Sequence, residues 1–407
     1  MYLKGSQWSM RKRRRRRNPI LIVVLLLLIA GATYVNAVVV PETPPLFVPT
    51  PTPTRSPESY IAEAEAAFQE GRLLTSIELY KRAILADPGN RSLYVALARV
   101  QNWAGMYEEA LKNVELALVG NENYALARAV RAWTLNFLGD SLEAEAEINA
   151  ALELEPDNPL FLAYQAEILV DKGDFGDLET AIQASRQAVQ LGPDLLEAHR
   201  ARGYVLLVTQ NYEEAIQEYE IAQNINPKIP DIYLNMGRCY RALGDYGNAI
   251  KAFQQANALN PADDIPDTEM ARTYAQAGEY GRAVQAAEAA LRDAPTNPYR
   301  YGNLGIMLYK SGEYPGAIEN LAIAVHGGTT ADGYVVEGLP LDYGYPAQYY
   351  YTYGLALARS NRCEEAVPIF QALLTVVSAD ETAVYNANEG LALCKAAAEG
   401  VTPTAEP

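Results

Sequence analysis

The sequence has few residues of the kinds that build catalytic or metal centres: three cysteines and two histidines in 407 residues. Three cysteines are too few for a disulfide-dense scaffold or for a zinc site with four thiolate ligands. His199 and His326 lie far apart in the sequence, which disfavours histidine-based catalysis and most metal sites. The sequence also contains no phosphate-binding glycine loop and no nucleophile elbow. We therefore expect a protein that is not an enzyme and that needs no metal or other cofactor.

Basic residues are scarce beyond the first 17 positions. Eight of the 33 Lys and Arg residues, and none of the 50 Asp and Glu residues, lie in residues 1–17. Residues 18–407 therefore carry a net charge of about −25, which would repel a phosphate backbone. We expect no nucleic acid partner for this part of the chain.

The first forty residues indicate where the protein resides. The basic residues of 1–17 precede the uncharged stretch 20–40, which as a helix would span about 32 Å and cross a bilayer. The positive-inside rule then places 1–17 in the cytoplasm, a transmembrane helix at 18–40, and the rest outside. This is the topology of a single-pass plasma-membrane protein. The alternative is a cleaved signal peptide, with a cleavage signal at Val35-Asn36-Ala37, and it exports the same residues.

Two proline-bearing segments flank the main domain. Residues 41–57 contain seven prolines and four threonines, a composition that favours an extended spacer over a helix. Residues 398–407 are polar and also contain proline, and we expect this tail to be disordered. The domain between them is predicted to span residues 58–397.

This domain is self-similar at a period of 34 residues. Two series of small residues recur at this spacing. Where the spacing between successive members is longer than 34, it predicts a three-residue insertion between Ala166 and Ala181 and a fifteen-residue insertion between Ala317 and Gly354. The first recurring small residue lies at Ala64, Ala98, Ala132, Ala166, Gly203, Gly237, Ala271, Gly305 and Gly354. The second lies at Ser76, Ala110, Ala144, Ala181, Ala215, Ala249, Ala283, Ala317 and Ala366.

Each unit is predicted to be a pair of antiparallel helices. Apolar residues such as Ile77, Tyr80 and Ile84 follow helical spacing. A glycine such as Gly71 ends the first helix, and a proline such as Pro88 stops the second. Small residues at fixed places on facing helices allow a close approach. Because one helix pair cannot bury its apolar face alone, successive pairs must stack.

These residues resemble the tetratricopeptide repeat. Residues 230–263 carry the most complete match, with Tyr233, Met236, Gly237, Tyr240, Gly244, Tyr246, Ala249, Phe253, Ala256 and Pro261 at signature places. The departures are Glu122, where a proline is expected, and Asn361, which replaces the turn glycine of the ninth unit. The resemblance implies an all-α, right-handed superhelical solenoid with a concave groove. We count nine helix pairs, plus a closing helix from about Thr382 to Lys395.

The helix face that lines the groove in the family contains arginine and aromatic residues in this chain. Unpaired arginines there would bind a carboxylate or an acidic peptide, whereas the alternative is that they pair with nearby glutamates. The aromatic residues either pack between helices or line the groove as part of a binding surface. The candidate partner-binding residues are Arg99, Asn102, Trp103, Trp133, Asn136, Arg200, Tyr204, Arg238, Arg241 and Arg272.

An insertion and a pair of cysteines are two further features of this chain. An insertion at about 326–346 brings Tyr334, Tyr343 and Tyr345, which either contact a partner or cover the neighbouring helix pair. Cys363 and Cys394 fall where consecutive antiparallel helices meet, so we expect a disulfide between them.

The acidic run Asp263, Asp264 and Asp267 lacks the spacing of a calcium-binding loop. It indicates a solvated loop between repeats rather than a metal site.

The sequence therefore predicts a membrane-anchored, non-catalytic scaffold or assembly factor. Its partners would be a protein or peptide, an acidic one if the groove arginines are unpaired, and the membrane through residues 20–40. The alternative is a non-catalytic regulatory subunit of a membrane enzyme or transporter. Whether deletion of residues 1–40 abolishes partner binding or only relocates it would distinguish the two.

Overall fold

The computed structural model describes residues 19–39 and 56–399, which form two separate units. The predicted basic segment 1–17 lies outside these residues, as do all but the last two positions of the spacer 41–57 and all but the first two of the tail 398–407. In the first unit, helix α1 (Pro19–Tyr34) continues as a π-helical turn (Val35–Val39). Among the described residues it is the one helix long and apolar enough to cross a membrane, over Pro19–Ala37. A signal sequence near the N-terminus can also be this long and apolar.

The second unit is built almost entirely from nine helix pairs. The first helices of the pairs are α2 (Pro57–Gln69), α4 (Arg91–Trp103), α6 (Ala125–Phe137), α8 (Pro159–Lys172), α10 (Leu196–Val208), α12 (Pro230–Ala242), α14 (Ile265–Gln276), α16 (Pro298–Ser311) and α18 (Tyr345–Arg359). The second helices are α3 (Leu73–Ala86), α5 (Tyr107–Leu118), α7 (Ser141–Leu154), α9 (Leu178–Leu191), α11 (Tyr212–Ile225), α13 (Tyr246–Leu259), α15 (Tyr280–Asp293), α17 (Tyr314–His326) and α19 (Cys363–Val376). A closing helix, α20 (Glu381–Ala398), completes the stack. The predicted all-α solenoid of nine stacked pairs and a closing helix is confirmed.

The recurring small residues set the spacing between the two helices of a pair. A Cβ atom added to Gly237 on α12 would lie 2.5 Å from Cε1 of Phe253 on α13, and one added to Gly203 would lie 2.8 Å from Tyr219. Where alanine holds the position, as at Ala98 and Ala132, it is 0% exposed. The aromatic ring of the second helix therefore packs directly on the backbone of the first helix.

The turns and insertions follow from backbone conformation. Glycines such as Gly244 (φ +78°) end the first helix in the left-handed region, which favours glycine. The three-residue insertion is a 3₁₀ turn, Phe175–Asp177, between α8 and α9. The fifteen-residue insertion contains an antiparallel hairpin of β1 (Gly327–Thr329) and β2 (Val335–Glu337), with Gly327 opposite Glu337.

The stack also makes contacts between distant repeats. Phe68 on α2 and Trp103 on α4 pack against the core cluster that contains Leu196, Ile229 and Ile232. The first two repeats therefore contact the fifth and sixth repeats, as well as their own sequence neighbours.

Candidate functional site

Three of the predicted groove residues meet around one carboxylate. Arg238 and Arg241 lie one turn apart on α12, and Arg272 lies on α14 in the next repeat. Glu269, also on α14, is 5% exposed. It accepts hydrogen bonds from Arg241 Nη1 and, at 3.2 Å, from Arg238 Nε, while Arg272 Nη1 lies 4.0 Å away. We refer to these four residues as the arginine cluster.

The arginine cluster has three positive charges around a single negative one. Burial opposes ionisation of Glu269, but attraction from Arg241 and Arg238 outweighs it, so the pKa of Glu269 is lowered. The three arginine side chains remain between 19% and 32% exposed. Arg238 and Arg241 also line an open hollow of about 710 Å³ with Tyr212 and Tyr246. Guanidinium groups in such a position can donate paired hydrogen bonds to a further carboxylate.

One tyrosine of the insertion reaches this cluster. The guanidinium carbon of Arg272 lies 4.7 Å from the ring centroid of Tyr345, the first residue of α18. The sequence analysis treated the groove arginines and the insertion as two separate features. The structure brings Tyr345 of the insertion against Arg272. Tyr343 is 52% exposed, and Tyr334 lines a different hollow beside β2 with Arg292 and Glu319.

Arg200, another of the predicted groove residues, is buried and paired. Arg200 on α10 is 8% exposed and donates to Glu167 and, at 2.6 Å, to Asp231. Burial alone would lower its pKa, but Asp231 and Glu167 outweigh burial and raise the pKa of Arg200. Trp133 is 0% exposed, donates from Nε1 to Glu167 at 2.9 Å, and stacks on Tyr164.

The remaining groove candidates also have partners within the repeat domain. Their hydrogen bonds run from Arg99 to Glu197 (2.5 Å), from Asn102 to Thr134 (2.9 Å), from Asn136 to Asp171 (2.6 Å), and from Tyr204 to Asp171 (2.5 Å). Asn102, Trp133, Asn136 and Arg200 are buried. The structure therefore corrects their placement on an accessible groove surface, because facing first helices of nearby repeats enclose them.

The acidic partners were the functional residues that sequence reasoning missed. Arg99 and Arg200 pair with acids on neighbouring helices, one of the two alternatives for the groove, whereas the three arginines of the arginine cluster share Glu269. A signal was available, because the acids Glu167, Asp231 and Glu269 lie on first helices of the repeats, as the groove arginines do.

All three cysteines lie in the part of the chain that the structure describes. Cys363 and Cys394 are joined by a disulfide with Cα atoms 5.4 Å apart. Cys239 is a free, buried thiol, and burial raises its pKa to about 12.

The acidic run at the start of α14 is not the solvated loop that the sequence indicated. Asp264 pairs with Arg300, and Asp267, which is 6% exposed, accepts a hydrogen bond from Asn257 at 3.0 Å. Within the described part of the chain, no group of three His, Cys, Asp or Glu residues is placed to hold a metal ion.

Comparison with known proteins agrees with this architecture. A family model described as a tetratricopeptide repeat matches residues 130–194, 171–228 and 268–332. The helix pairs within these matched residues are tetratricopeptide repeats. A second family model, described as regulator of microtubule dynamics protein 1-3, matches residues 206–277 of the tetratricopeptide-repeat domain.

The solved structures that this chain resembles are distant in sequence. A crystal structure of the APC/C hetero-tetramer Cut9-Hcn1 has a TM-score of 0.56 at 13% identity, covering 90% of this chain and 82% of that one. A tetratricopeptide repeat protein from Parabacteroides merdae has a TM-score of 0.42 at 17% identity, covering 62% of this chain and 98% of that one. A comparison with curated proteins gave no match.

Proposed function

We propose that this protein is a membrane-anchored scaffold whose tetratricopeptide repeats lie outside the cytoplasm and bind an acidic segment of a partner protein at the arginine cluster. The observation that carries the proposal is the charge imbalance there. Arg238, Arg241 and Arg272 surround Glu269 alone, in a repeat domain that is otherwise strongly acidic. Two further carboxylates, as an acidic segment supplies, would balance the remaining positive charges.

The surroundings of the cluster favour a peptide over a small ion. The adjoining hollow of about 710 Å³ is large and open, and Tyr212 and Tyr246 line it. Tyr345 adds a ring against Arg272. Tyrosine side chains supply large contact areas at low entropic cost, which suits a flexible segment. Arrays of tetratricopeptide repeats typically bind proteins or peptides.

The proposed location is supported by two features. Pro19–Ala37 is apolar enough to cross a membrane, and basic residues precede it in the sequence. The Cys363–Cys394 disulfide is suited to an oxidising compartment, because thiols are kept reduced in the cytosol.

The binding proposal is tested by replacing Arg238 and Arg272 together with alanine. Arg241 then still pairs with Glu269, so the buried carboxylate keeps a counter-charge while the two excess positive charges are removed. The probe is a fluorescent penta-glutamate peptide. The full chain in detergent micelles is titrated into it, and the rise in fluorescence anisotropy measures binding. We expect at least tenfold weaker binding for the double variant, and weaker binding of the wild type as salt rises.

The matched control replaces Arg82 and Arg362 with alanine. These arginines are exposed and pair with Glu78 and Glu365 near them in sequence, so the change in net charge is the same. Binding by this control should equal that of the wild type. Equal losses in both double variants, or no saturable binding by the wild type, would refute recognition at the arginine cluster.

The topology is tested by adding a protease to intact cells or spheroplasts. An antibody against the repeat domain should lose its signal, whereas protection of the domain would contradict the proposed export. N-terminal sequencing of the mature chain separates the two routes of export. A start near Val38 indicates cleavage, and retention of residues 1–17 indicates an anchor.

A further inference from the structure

A second, separate cavity lies where distant repeats meet. It has a volume of about 310 Å³ and is partly enclosed. One wall comes from repeats two and three, with the rings of Trp103, Tyr107 and Phe137. The opposite wall comes from the starts of α12 and α14 and includes Asp231 and Asp263. We refer to this cavity as the seam pocket.

The aromatic wall is built from packed rings. Tyr107 and Phe137 are stacked with centroids 4.6 Å apart, and the Trp103 ring lies edge-on to Trp133 at 5.2 Å. The guanidinium of Arg200 lies 5.3 Å from the Trp103 ring centroid. This wall therefore already contacts one cation through a ring face, a contact that is stronger where water is excluded.

The acidic wall is only partly neutralised. Arg200 bonds both Asp231 and Glu167, so its charge is already engaged. Asp263 accepts a backbone hydrogen bond from Ile265 at 3.0 Å, and within the described ranges it has no Lys or Arg at ion-pair distance. Burial raises the pKa of Asp263, and repulsion from Asp264 and Asp231 acts in the same direction, while the Ile265 N–H and the charge of Arg300 offset part of the rise. A cation beside Asp263 would relieve both effects.

We propose that the seam pocket binds an organic cation, the alkylammonium group of a lysine side chain or of a free amine, between its aromatic wall and Asp263. The cavity volume is at the lower end of the range for small-ligand sites, which suits one side chain rather than a folded segment. Aromatic faces attract ammonium groups, and a carboxylate beside them can accept a charge-assisted hydrogen bond from the same group. The seam pocket does not contain Arg238, Arg241 or Arg272, so this proposal is independent of the acidic segment proposed above.

The test uses calorimetry on the full chain in detergent micelles with three probes. N-acetyl-lysine-methylamide presents the ammonium group on a peptide side chain, and n-butylammonium presents it as a free amine. N-acetyl-norleucine-methylamide has a similar shape without the charge. We expect saturable binding of the lysine probe and at least tenfold weaker binding of the norleucine probe. If n-butylammonium also binds, the amine itself is recognised, and if it does not, the peptide side chain is the source.

Asp263→Asn should weaken binding of the lysine probe at least tenfold. Asparagine can still accept the hydrogen bond from Ile265, so the loop should be retained. The matched control is Asp245→Asn, which alters an aspartate that accepts from Asn248 N at 3.1 Å at the start of α13, outside the seam pocket. It should leave binding unchanged.

A second pair of variants tests the aromatic wall. Tyr107→Leu removes a ring at the start of α5 and should also weaken binding of the lysine probe. Tyr280→Leu makes the same change at the start of α15, away from the pocket, and should not. The proposal is wrong if the wild type shows no saturable binding of either amine, if the norleucine probe binds as tightly, or if Tyr107→Leu and Asp263→Asn bind normally. Should Asp263→Asn fail to fold, the tyrosine pair alone decides.

Discussion

At Gly237, the absence of a side chain sets the distance between two helices. A Cβ added there would lie 2.5 Å from Phe253, a ring that is itself 0% exposed. We expect Gly237→Ala to lower the free energy of unfolding by about 1–3 kcal/mol, because the ring must shift within a packed core. Gly281→Ala is the control, since an added Cβ there meets no atom within 4 Å. That variant should be neutral or slightly stabilising in urea unfolding, and equal effects of the two changes would contradict the packing argument.

His199 makes the fold sensitive to pH from within one repeat. Its Nδ1 lies 2.6 Å from Glu218 Oε2 and its Nε2 lies 2.8 Å from the Pro193 carbonyl oxygen, and the protonated ring donates to both. The bond to Glu218 is the main reason that the pKa of His199 is raised. A raised pKa stabilises the folded state fully below the unfolded value of about 6.5, and this stabilisation is lost as pH rises through the folded pKa.

The check is urea unfolding of the wild type and His199→Gln between about pH 5.5 and pH 8.5. The wild type should be the more stable at the acidic end, and the difference should shrink with rising pH. His326→Gln removes the other histidine and controls for the general effect of losing an imidazole. A difference between wild type and His199→Gln that is constant over this range would show that the ring contributes by packing alone.

At the scale of the helix pair, one turn carries an unfavourable residue. Gln210, in the turn that follows α10, has φ +62°, where most other repeats have glycine, such as Gly244 at φ +78°. A side chain disfavours this conformation, so Gln210→Gly should raise the free energy of unfolding by about 0.5–1 kcal/mol. The reverse change in the next repeat, Gly244→Gln, should lower it. Thermal unfolding of the two variants checks both signs, and a loss of stability in Gln210→Gly would be inconsistent with strain at this turn.

The pattern of small residues, glycines and prolines was sufficient to predict the helix pairs, because each pair depends on local sequence. The steps at Ala98, Ala132 and Ala166 gave the period, and all three residues are 0% exposed. The arginine positions were also predicted, but their partners were not. Pairing of Arg200 with Glu167 and Asp231 depends on how closely the first helices of three successive repeats approach one another. The rotation between repeats determines that distance, and the sequence pattern does not report it.

At the scale of the whole repeat domain, the stack departs from a one-dimensional array. In such an array each repeat contacts only its neighbours. Here Arg99 of the second repeat bonds Glu197 of the fifth, at 2.5 Å. Phe68 of the first repeat packs against the cluster containing Ile229, which directly precedes α12 of the sixth. The seam pocket likewise lies between residues of the second and third repeats and residues at the starts of α12 and α14. We infer that these contacts couple the two halves of the array.

This coupling predicts a long-range effect of a mutation in α2. Phe68→Ala removes a ring that packs on its own repeat and also on the cluster containing Ile229. Hydrogen exchange should therefore accelerate in the first repeat and, in addition, around residues 229–234, about 160 positions away in sequence. Ile61→Ala is the matched control, because Ile61 is on the same helix, is also half-buried, and packs on the cluster of the first two repeats. Its effect should stay within those repeats. Identical exchange maps for the two variants would mean that the repeats fold as a simple linear array and that the seam carries no coupling.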